Sequence, residues 1–438
     1  MVSTGRLGLK GAMFRVQAGA NVRSGISAKD WTERADRTEQ ARPSICFLFN
    51  AQLHQLLHGI TTAAELARRG DVDVHVMSVS RENLAYARAL VARMGGAPIR
   101  FSLAGSELLR LIARMTGSSI APKMLTLAAI APAMRRFDAI ALPERTSIAL
   151  RKLGVRRTRF IHIDHGAGDR EVGVDPRIAK FDFVLMAGEK QRERFERAGL
   201  IRPGDHAIVG YPKFDAADAM RDPCWRPFDN DRPIVLYNPH FSDLGSWDRF
   251  GVQLVAAFAA QDRYNLILAP HVRMCDSAAK RARTMALIAP YADLPHIHVD
   301  LGSDRCVEMS YTTIADVYVG DVSSQVYEYI RKPGPCLFLN ANGVDWQGDE
   351  NYGHWHFGPV LDDVSAIVAA VDAARASLPL FEGEQRRRFD ATFDLGEISS
   401  SRRAADAIAG FLHREVGSRA ALPAPTRGLI AGARRAAP

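Results

Sequence analysis

The chain has 438 residues, a net charge of +8 and an apolar share of 47%, which suits two domains of ordinary size and excludes a single small module. No run approaches the roughly 20 uncharged apolar residues that span a bilayer, so we expect a soluble chain. Five scattered cysteines without a Cys-x-x-Cys pair indicate neither a disulfide framework nor a zinc knuckle and favour the cytoplasm.

Much of the basic excess lies near the two ends of the chain. No helix-turn-helix, zinc-finger or aromatic basic sheet motif accompanies it, so nucleic acid is not expected as a partner. We expect a solvated basic surface, and the alternative is peripheral contact with the anionic inner face of the plasma membrane. The first residues lack the apolar stretch of a secretory signal and are expected to be retained.

The elements of the first half alternate between strand and helix. Residues 1–42 are polar and aperiodic, which predicts a disordered tail. Residues 43–220 are predicted to form a Rossmann-like domain that opens with a strand, a helix and a second strand. His54 and His58 follow the first strand at a spacing of one helical turn, where we expect them either to line a cleft or to be structural.

The second half repeats this alternation. Residues 221–232 are rich in Pro, Asp and Arg and are predicted to be a linker. Residues 233–400 are predicted to form a second Rossmann-like domain, residues 401–416 a closing helix and residues 417–438 a disordered tail. The predicted fold class is α/β, with a pair of doubly wound Rossmann-type domains facing a central cleft.

Several common site motifs are missing from the sequence. There is no Gly-x-Gly-x-x-Gly, no Walker loop and no Gly-x-Ser-x-Gly elbow, so dehydrogenase, P-loop kinase and α/β-hydrolase functions are not favoured. Two Asp-x-Asp triplets, at residues 71–73 and 229–231, lie at the start of a strand and in the linker. Both are expected to be structural.

Residues 315–331 predict a strand that runs into a helix. Gly320 and Asp321 break the strand, and Ser323 or Ser324 is suited to cap the helix. A helix that begins at the carboxyl end of a parallel strand favours a phosphate, so this stretch is a candidate seat for a diphosphate. The alternative is an ordinary N-cap beside a turn residue.

Four short stretches, in this order, carry a resemblance to a known family: His165-Gly166, residues 210–215 (Gly-Tyr-Pro-Lys-Phe-Asp), Asn238-Pro239 with His271 one strand later, and residues 321–328. The chain resembles the GT-B glycosyltransferases, closest to the CDP-glycerol glycerophosphotransferases that build teichoic-acid-like polymers. The resemblance covers residues 43–414. It implies a GT-B fold in which the first domain binds the acceptor and the second binds the nucleotide donor.

The resemblance also implies roles for individual residues. His165 is expected to be the general base, because histidine titrates near neutral pH, and Asp164 or Asp169 to orient it. Eight residues are expected to bind the donor: Asn238, His240, His271, Arg273, Asp321, Ser323, Ser324 and Glu328. No metal and no cofactor are expected.

The function implied is a metal-independent transferase of cell-envelope or capsule polysaccharide synthesis. It would move a glycerophosphate or glycosyl group from CDP-glycerol or a nucleotide sugar to a hydroxyl of a glycan or lipid-linked acceptor. Two alternatives stay open. One is a nucleotide-sugar 2-epimerase, which needs no acceptor, and the other is a non-catalytic protein that binds a nucleotide sugar.

Overall fold

The computed structural model describes residues 42–50, 53–105, 123–165, 168–170 and 173–420, with side chains to residue 415. The predicted tails, up to residue 41 and after residue 420, lie outside the described residues. So do residues 106–122, and Gly166 and Ala167 of the loop after His165. Two parallel sheets organise the described chain.

The first sheet has seven strands within the described residues, in the order β3-β2-β1-β4-β5-β6-β7. They are β1 (Ser44–Phe49), β2 (Asp73–Ser78), β3 (Arg100–Leu103), β4 (Ala139–Leu142), β5 (Arg159–Ile163), β6 (Phe183–Met186) and β7 (His206–Ile208). The strand order reverses between β1 and β4, and ligands of open α/β sheets bind beyond the carboxyl ends at such a point. All six residues of β1 are buried, as expected for a central parallel strand.

The second sheet has six strands within the described residues, in the order β10-β9-β8-β11-β12-β13. They are β8 (Ile234–Asn238), β9 (Asn265–Leu268), β10 (Ile297–Val299), β11 (Val317–Gly320), β12 (Cys336–Leu339) and β13 (Val360–Leu361). The order reverses between β8 and β11, whose register pairs Asn238 with Gly320. The loops that follow these two strands therefore begin side by side.

Helices connect and cover the strands. They are α1 (Leu53–Leu56), α2 (Ile60–Arg69), α3 (Arg81–Arg93), α4 (Lys123–Met134), α5 (Glu189–Arg197), α6 (Pro212–Met220), α7 (Val252–Ala259), α8 (Ala278–Ile288), α9 (Ser310–Ile314), α10 (Val326–Tyr329), α11 (Ile367–Thr392) and α12 (Ser400–Ala420). Shorter helical turns lie at Thr146–Arg151, Pro176–Lys180, Trp247–Gly251, Asp304–Cys306 and Glu350–Phe357. Within the described residues no helix is long and apolar enough to cross a membrane.

Three elements differ from their predicted form. The sequence of residues 207–215 predicts a strand, but β7 ends at Ile208, and Pro212 occupies the first turn of α6, where its missing N–H costs nothing. The helix expected after Ser323 is the single turn α10, which begins with i to i+3 hydrogen bonds. The sequence of residues 364–376 predicts a helix, and this helix continues as α11 through Pro379.

The closing helix α12 packs on the first sheet. Ala405, Ile408 and Leu412 belong to one buried cluster with Ile45 and Ala63. The helix runs to Ala420, four residues beyond its predicted end. The described chain therefore leaves the first sheet after α6, builds the second sheet and returns.

Candidate active site

Histidines from both sheets meet beyond the carboxyl ends of the strands. The ring of His54, on α1, lies 6.4 Å from the rings of both His165 and His271. His58 lies 6.2 Å from His165, and His240 lies 5.2 Å from His271. We call these five rings the histidine row. It joins the loops after β1 and β5 to the loops after β8 and β9.

The ring of His165 has one nitrogen without a partner. Its Nδ1 is buried and makes no hydrogen bond among the described residues. Burial lowers the pKa of His165, while the charge of Asp164 acts in the opposite direction. The ring is held neutral, in the form that accepts a proton.

The two carboxylates expected to orient His165 have different surroundings. Asp164 acts on His165 through its charge and accepts a hydrogen bond from the side-chain amide of Gln191. Asp169 is buried and engaged elsewhere, because its carboxylate accepts from Lys190 at 3.0 Å and from the Tyr327 hydroxyl at 2.8 Å. Of the two, Asp164 is the carboxylate whose charge raises the pKa of His165.

Asp169 connects the first sheet's loop to the second sheet. The His354 Nδ1 lies 3.1 Å from its carboxylate, and Nε2 of the same ring lies 3.0 Å from the carbonyl oxygen of Asp321. The His354 ring therefore bridges the loop after β5 and the loop after β11. Burial raises the pKa of Asp169, but the bond from His354 and the charge of Lys190 outweigh it and hold that pKa far below its usual range.

Asp321 organises the loop after β8. Its carboxylate accepts from the backbone N–H of His240 at 3.0 Å and of Ser246 at 2.7 Å, and from the Ser246 hydroxyl at 2.8 Å. Asn238 donates to the Ala269 carbonyl at 2.6 Å and accepts from the Tyr318 hydroxyl at 3.1 Å. Both residues were expected to bind donor, and this role stays a prediction beside the contacts that the side chains make within the protein.

The two serines of the expected phosphate seat differ in exposure. Ser323 is buried and its hydroxyl accepts from the backbone N–H of Gln325 at 3.4 Å. Ser324 is exposed and faces the loop after β5, where a Cβ added to Gly168 would lie 3.1 Å from the Ser324 Cβ. With α10 only four residues long, the expected seat is a turn and not the end of a long helix.

Glu328 forms a buried ion pair that the sequence did not predict. Its carboxylate lies 2.6 Å from Lys213 Nζ, and the two side chains are 6% and 5% exposed. Glu328 also lines a small recess together with Arg305 and Tyr311. Glu328, which was expected to bind a donor hydroxyl, therefore forms an ion pair with Lys213 on α6.

The surroundings of the row are cationic. His271 accepts from the backbone N–H of Arg273 at 3.2 Å, and the Arg273 guanidinium stacks 4.1 Å from the Phe241 ring. Burial, then the charges of Arg273 and Lys213, lower the pKa of His271 to about 4. Burial likewise lowers the pKa of His240 to about 3. An anion is the ligand that such a surface favours.

Nδ1 of His54 and of His58 are also buried without a partner within the described residues. No group of three or more His, Cys, Asp or Glu side chains in the described ranges is placed to hold a metal ion. Lys190, Tyr327 and His354 were not predicted as site residues. His354 lies in a conspicuous Gly-His-Trp-His run, which was the available signal.

Comparison with known proteins finds likeness in structure alone. No protein-family model and no curated protein matches the sequence. S. aureus MnaA with UDP superposes with a TM-score of 0.58 at 12% identity, over 85% of this chain and 97% of that one. A UDP-N-acetylglucosamine 2-epimerase gives 0.55 at 12% identity, over 88% and 99%. The wall teichoic acid polymerase TagF, soaked with CDPG, gives 0.55 at 11%, over 87% and 90%. These likenesses confirm the predicted GT-B-like fold.

Proposed function

We propose that the protein is a transferase that moves a glycosyl or glycerophosphoryl group from a nucleotide-activated donor to an acceptor hydroxyl in cell-envelope polymer synthesis. The observation that carries this proposal is the unpartnered Nδ1 of His165, within a row of histidines drawn from both sheets. A neutral imidazole with an unpaired ring nitrogen can act as a general base.

In the proposed reaction, His165 takes the proton of the acceptor hydroxyl as its oxygen attacks the transferred carbon or phosphorus. The bond to the leaving nucleotide phosphate breaks in the same step, and the departing oxygen keeps the electron pair. The charge of Asp164 stabilises the imidazolium that forms, since it acts on His165 in that direction. His271, Arg273 and the exposed Ser324 offset the negative charge of the leaving phosphate.

Two further observations support a nucleotide donor. The row's cationic surroundings, which include Lys213 and Arg273, suit a diphosphate. MnaA was solved with UDP and TagF was soaked with CDPG. Both of these proteins are similar to this chain in fold.

A donor panel tests the proposal. The purified protein is incubated with CDP-glycerol and with UDP- and GDP-sugars, with and without glycan or lipid-linked acceptors, and nucleotide release is measured. We expect release that depends on the acceptor and that persists in EDTA. Sugar interconversion without acceptor would identify an epimerase instead, and binding without turnover would identify a non-catalytic protein.

A further inference from the structure

Two buried rings hold the backbone carbonyl of Asp321. His354 Nε2 lies 3.0 Å from the carbonyl oxygen, and Trp355 Nε1 donates to it at 2.7 Å. The carboxylate of the same aspartate accepts from the backbone N–H of Val322 at 2.6 Å. Because a peptide group is planar, bonds to the carbonyl also fix the direction in which the chain continues towards Ser324.

The same histidine connects this turn to the first sheet. Its Nδ1 lies 3.1 Å from the carboxylate of Asp169, in the loop after β5. The Tyr327 hydroxyl donates to that carboxylate at 2.8 Å. Asp321 lies three residues before Ser324, and Tyr327 lies three residues after it. Asp169 is therefore tied to the expected phosphate seat on both sides of Ser324.

The ring of His354 packs against aromatic side chains. Its centre lies 5.7 Å from that of Phe338 and 6.4 Å from that of Trp355, and the residue is 2% exposed. Apolar side chains are the usual occupants of such a place, because a buried polar group costs free energy unless it is hydrogen-bonded. The two oxygen atoms near its nitrogens follow strands of different sheets. The choice of histidine is therefore explained by this connection and not by packing.

The connection ends close to the proposed base and the expected phosphate seat. His165 lies four residues before Asp169 in the same loop. A Cβ added to Gly168 would lie 3.1 Å from the Ser324 Cβ, so the loop and the seat touch. A shift of the loop against the seat would change the distance between base and donor, and a misplacement of about 1 Å costs on the order of 10²-fold in rate.

We propose that His354 is a positioning residue for the transferase reaction. Its ring holds the loop after β5 against the turn at Asp321 and thereby fixes the proposed base relative to the expected phosphate seat. It acts through Asp169 and through the Asp321 carbonyl, and not by contact with substrate. This inference rests on the proposed function.

Two substitutions separate the two contacts of the ring. The amide nitrogen of His354→Asn takes the place of Nδ1 and keeps the contact with Asp169, whereas that of His354→Gln takes the place of Nε2 and keeps the contact with the Asp321 carbonyl. We expect His354→Asn to weaken donor affinity about tenfold or more, because the seat loses a hydrogen bond that orients it. We expect His354→Gln to leave donor affinity unchanged and to lower kcat about tenfold or more, because the loop is released.

The measurements are calorimetry and steady-state rates of the full-length protein with CDP-glycerol and with UDP- and GDP-sugars. The matched controls are His356→Asn and His356→Gln, since His356 lies two residues later in the same helical turn and is exposed. Both controls should leave donor affinity and kcat unchanged.

A milder variant covers the case in which the His354 variants do not fold. Tyr327→Phe keeps the ring and removes only the hydroxyl that donates to Asp169, so kcat should fall about threefold or more with donor affinity unchanged. Its control is Tyr329→Phe on the same turn, whose hydroxyl donates instead to the carbonyls of Asp316 and Pro335 at 3.0 and 3.2 Å.

The outcomes separate this inference from the proposed function. Absence of turnover by the unmodified protein with every donor would overturn the proposed function and this inference with it. If the unmodified protein is active, the inference alone is overturned when the two His354 variants match the His356 controls, or when they lose affinity and rate alike in step with a lower melting temperature. Where those variants do not fold, equal rates of Tyr327→Phe and Tyr329→Phe overturn it.

Discussion

His165 follows β5, and its Nδ1 has no partner in the described part of the chain. Burial lowers the pKa of His165, and the other histidines of the row also have lowered pKa values, chiefly through burial. The family resemblance implied that His165 is the base, and this role stays a prediction. The unpaired nitrogen could not be predicted from the sequence, because it depends on which groups the fold places around the ring.

The buried pair of Lys213 and Glu328 gives a first prediction. Glu328→Gln leaves the Lys213 charge buried and unpaired, which should lower the free energy of unfolding by about 3 to 5 kcal/mol. Urea denaturation measures this, and Lys213→Met/Glu328→Leu, which removes both charges, should lose less. If Glu328→Gln keeps full stability and instead weakens donor binding, Glu328 binds donor as the family resemblance implied.

Histidine pKa values predict how stability depends on pH. The pKa values of His162 and His271 are lowered from 6.5 to about 4, mainly by burial. The unfolded chain therefore binds protons more readily between these values, and each unit of difference corresponds to about 1.4 kcal/mol. The contribution is complete above pH 6.5 and is lost as the pH falls. The melting temperature should drop across this window.

The variant His271→Gln isolates one histidine in this experiment, because glutamine does not titrate. Its melting temperature should fall less steeply with pH than that of the unmodified protein. The raised pKa of Asp321, which is due first to burial, acts in the opposite direction in both proteins and so cancels in the comparison. Parallel curves for the two proteins would contradict the assignment.

At the scale of elements, the loop after β5 is joined to the second sheet through Asp169. Asp169→Asn removes the charge that pairs with buried Lys190 and weakens the bonds to Tyr327 and His354. We expect a loss of about 3 to 5 kcal/mol in the free energy of unfolding, measured with urea.

The matched control for this variant is Asp218→Asn. Asp218 pairs with Arg331 at 2.8 Å, but both side chains are largely solvated, at 55% and 41% exposure. An exposed pair contributes about 0 to 1 kcal/mol, so the control should change stability little. Equal losses for the two variants would show that Asp169 is not a special connection between the sheets.

The central strands of both sheets were predictable because each is a short apolar run that ends at a turn. β1 and β11 are buried along their whole length, and this pattern needs no tertiary information. Helix α11 was predicted too short, since Pro379 normally ends a helix. Packing overrides this local preference, because Gln385 and Phe389 beyond the proline are buried.

The candidate site was predictable only in part, because some of its contacts join residues that lie far apart in the sequence. His165 and His271 follow strands, so their place at the carboxyl edge follows from the alternation of strands and helices. The partner of Asp169 is His354, 185 residues later, and no local pattern connects them. Asn238 and Asp321 have the residue types of ligand contacts, and the structure shows that their polar atoms also bond to backbone groups and to the hydroxyls of Tyr318 and Ser246.

At the scale of the whole molecule, the proposed base and the proposed donor seat belong to different sheets. His165 belongs to the first sheet and Ser324 to the second, and Gly168 brings their loops together. Helix α12 returns to the first sheet and packs in its buried cluster. Mutation of the base should therefore lower the reaction rate, and mutation of the donor seat should lower the affinity for the donor.

Donor binding by calorimetry, measured beside the steady-state rate, tests this division most directly. His165→Ala should lower kcat on the order of 10²-fold or more and leave donor affinity unchanged, because the base acts only as the hydroxyl attacks. Ser324→Ala should weaken donor affinity, since a hydrogen bond to a charged group is worth about 1.5 to 3 kcal/mol. Loss of donor binding in His165→Ala, with binding and rate unchanged in Ser324→Ala, would contradict the account.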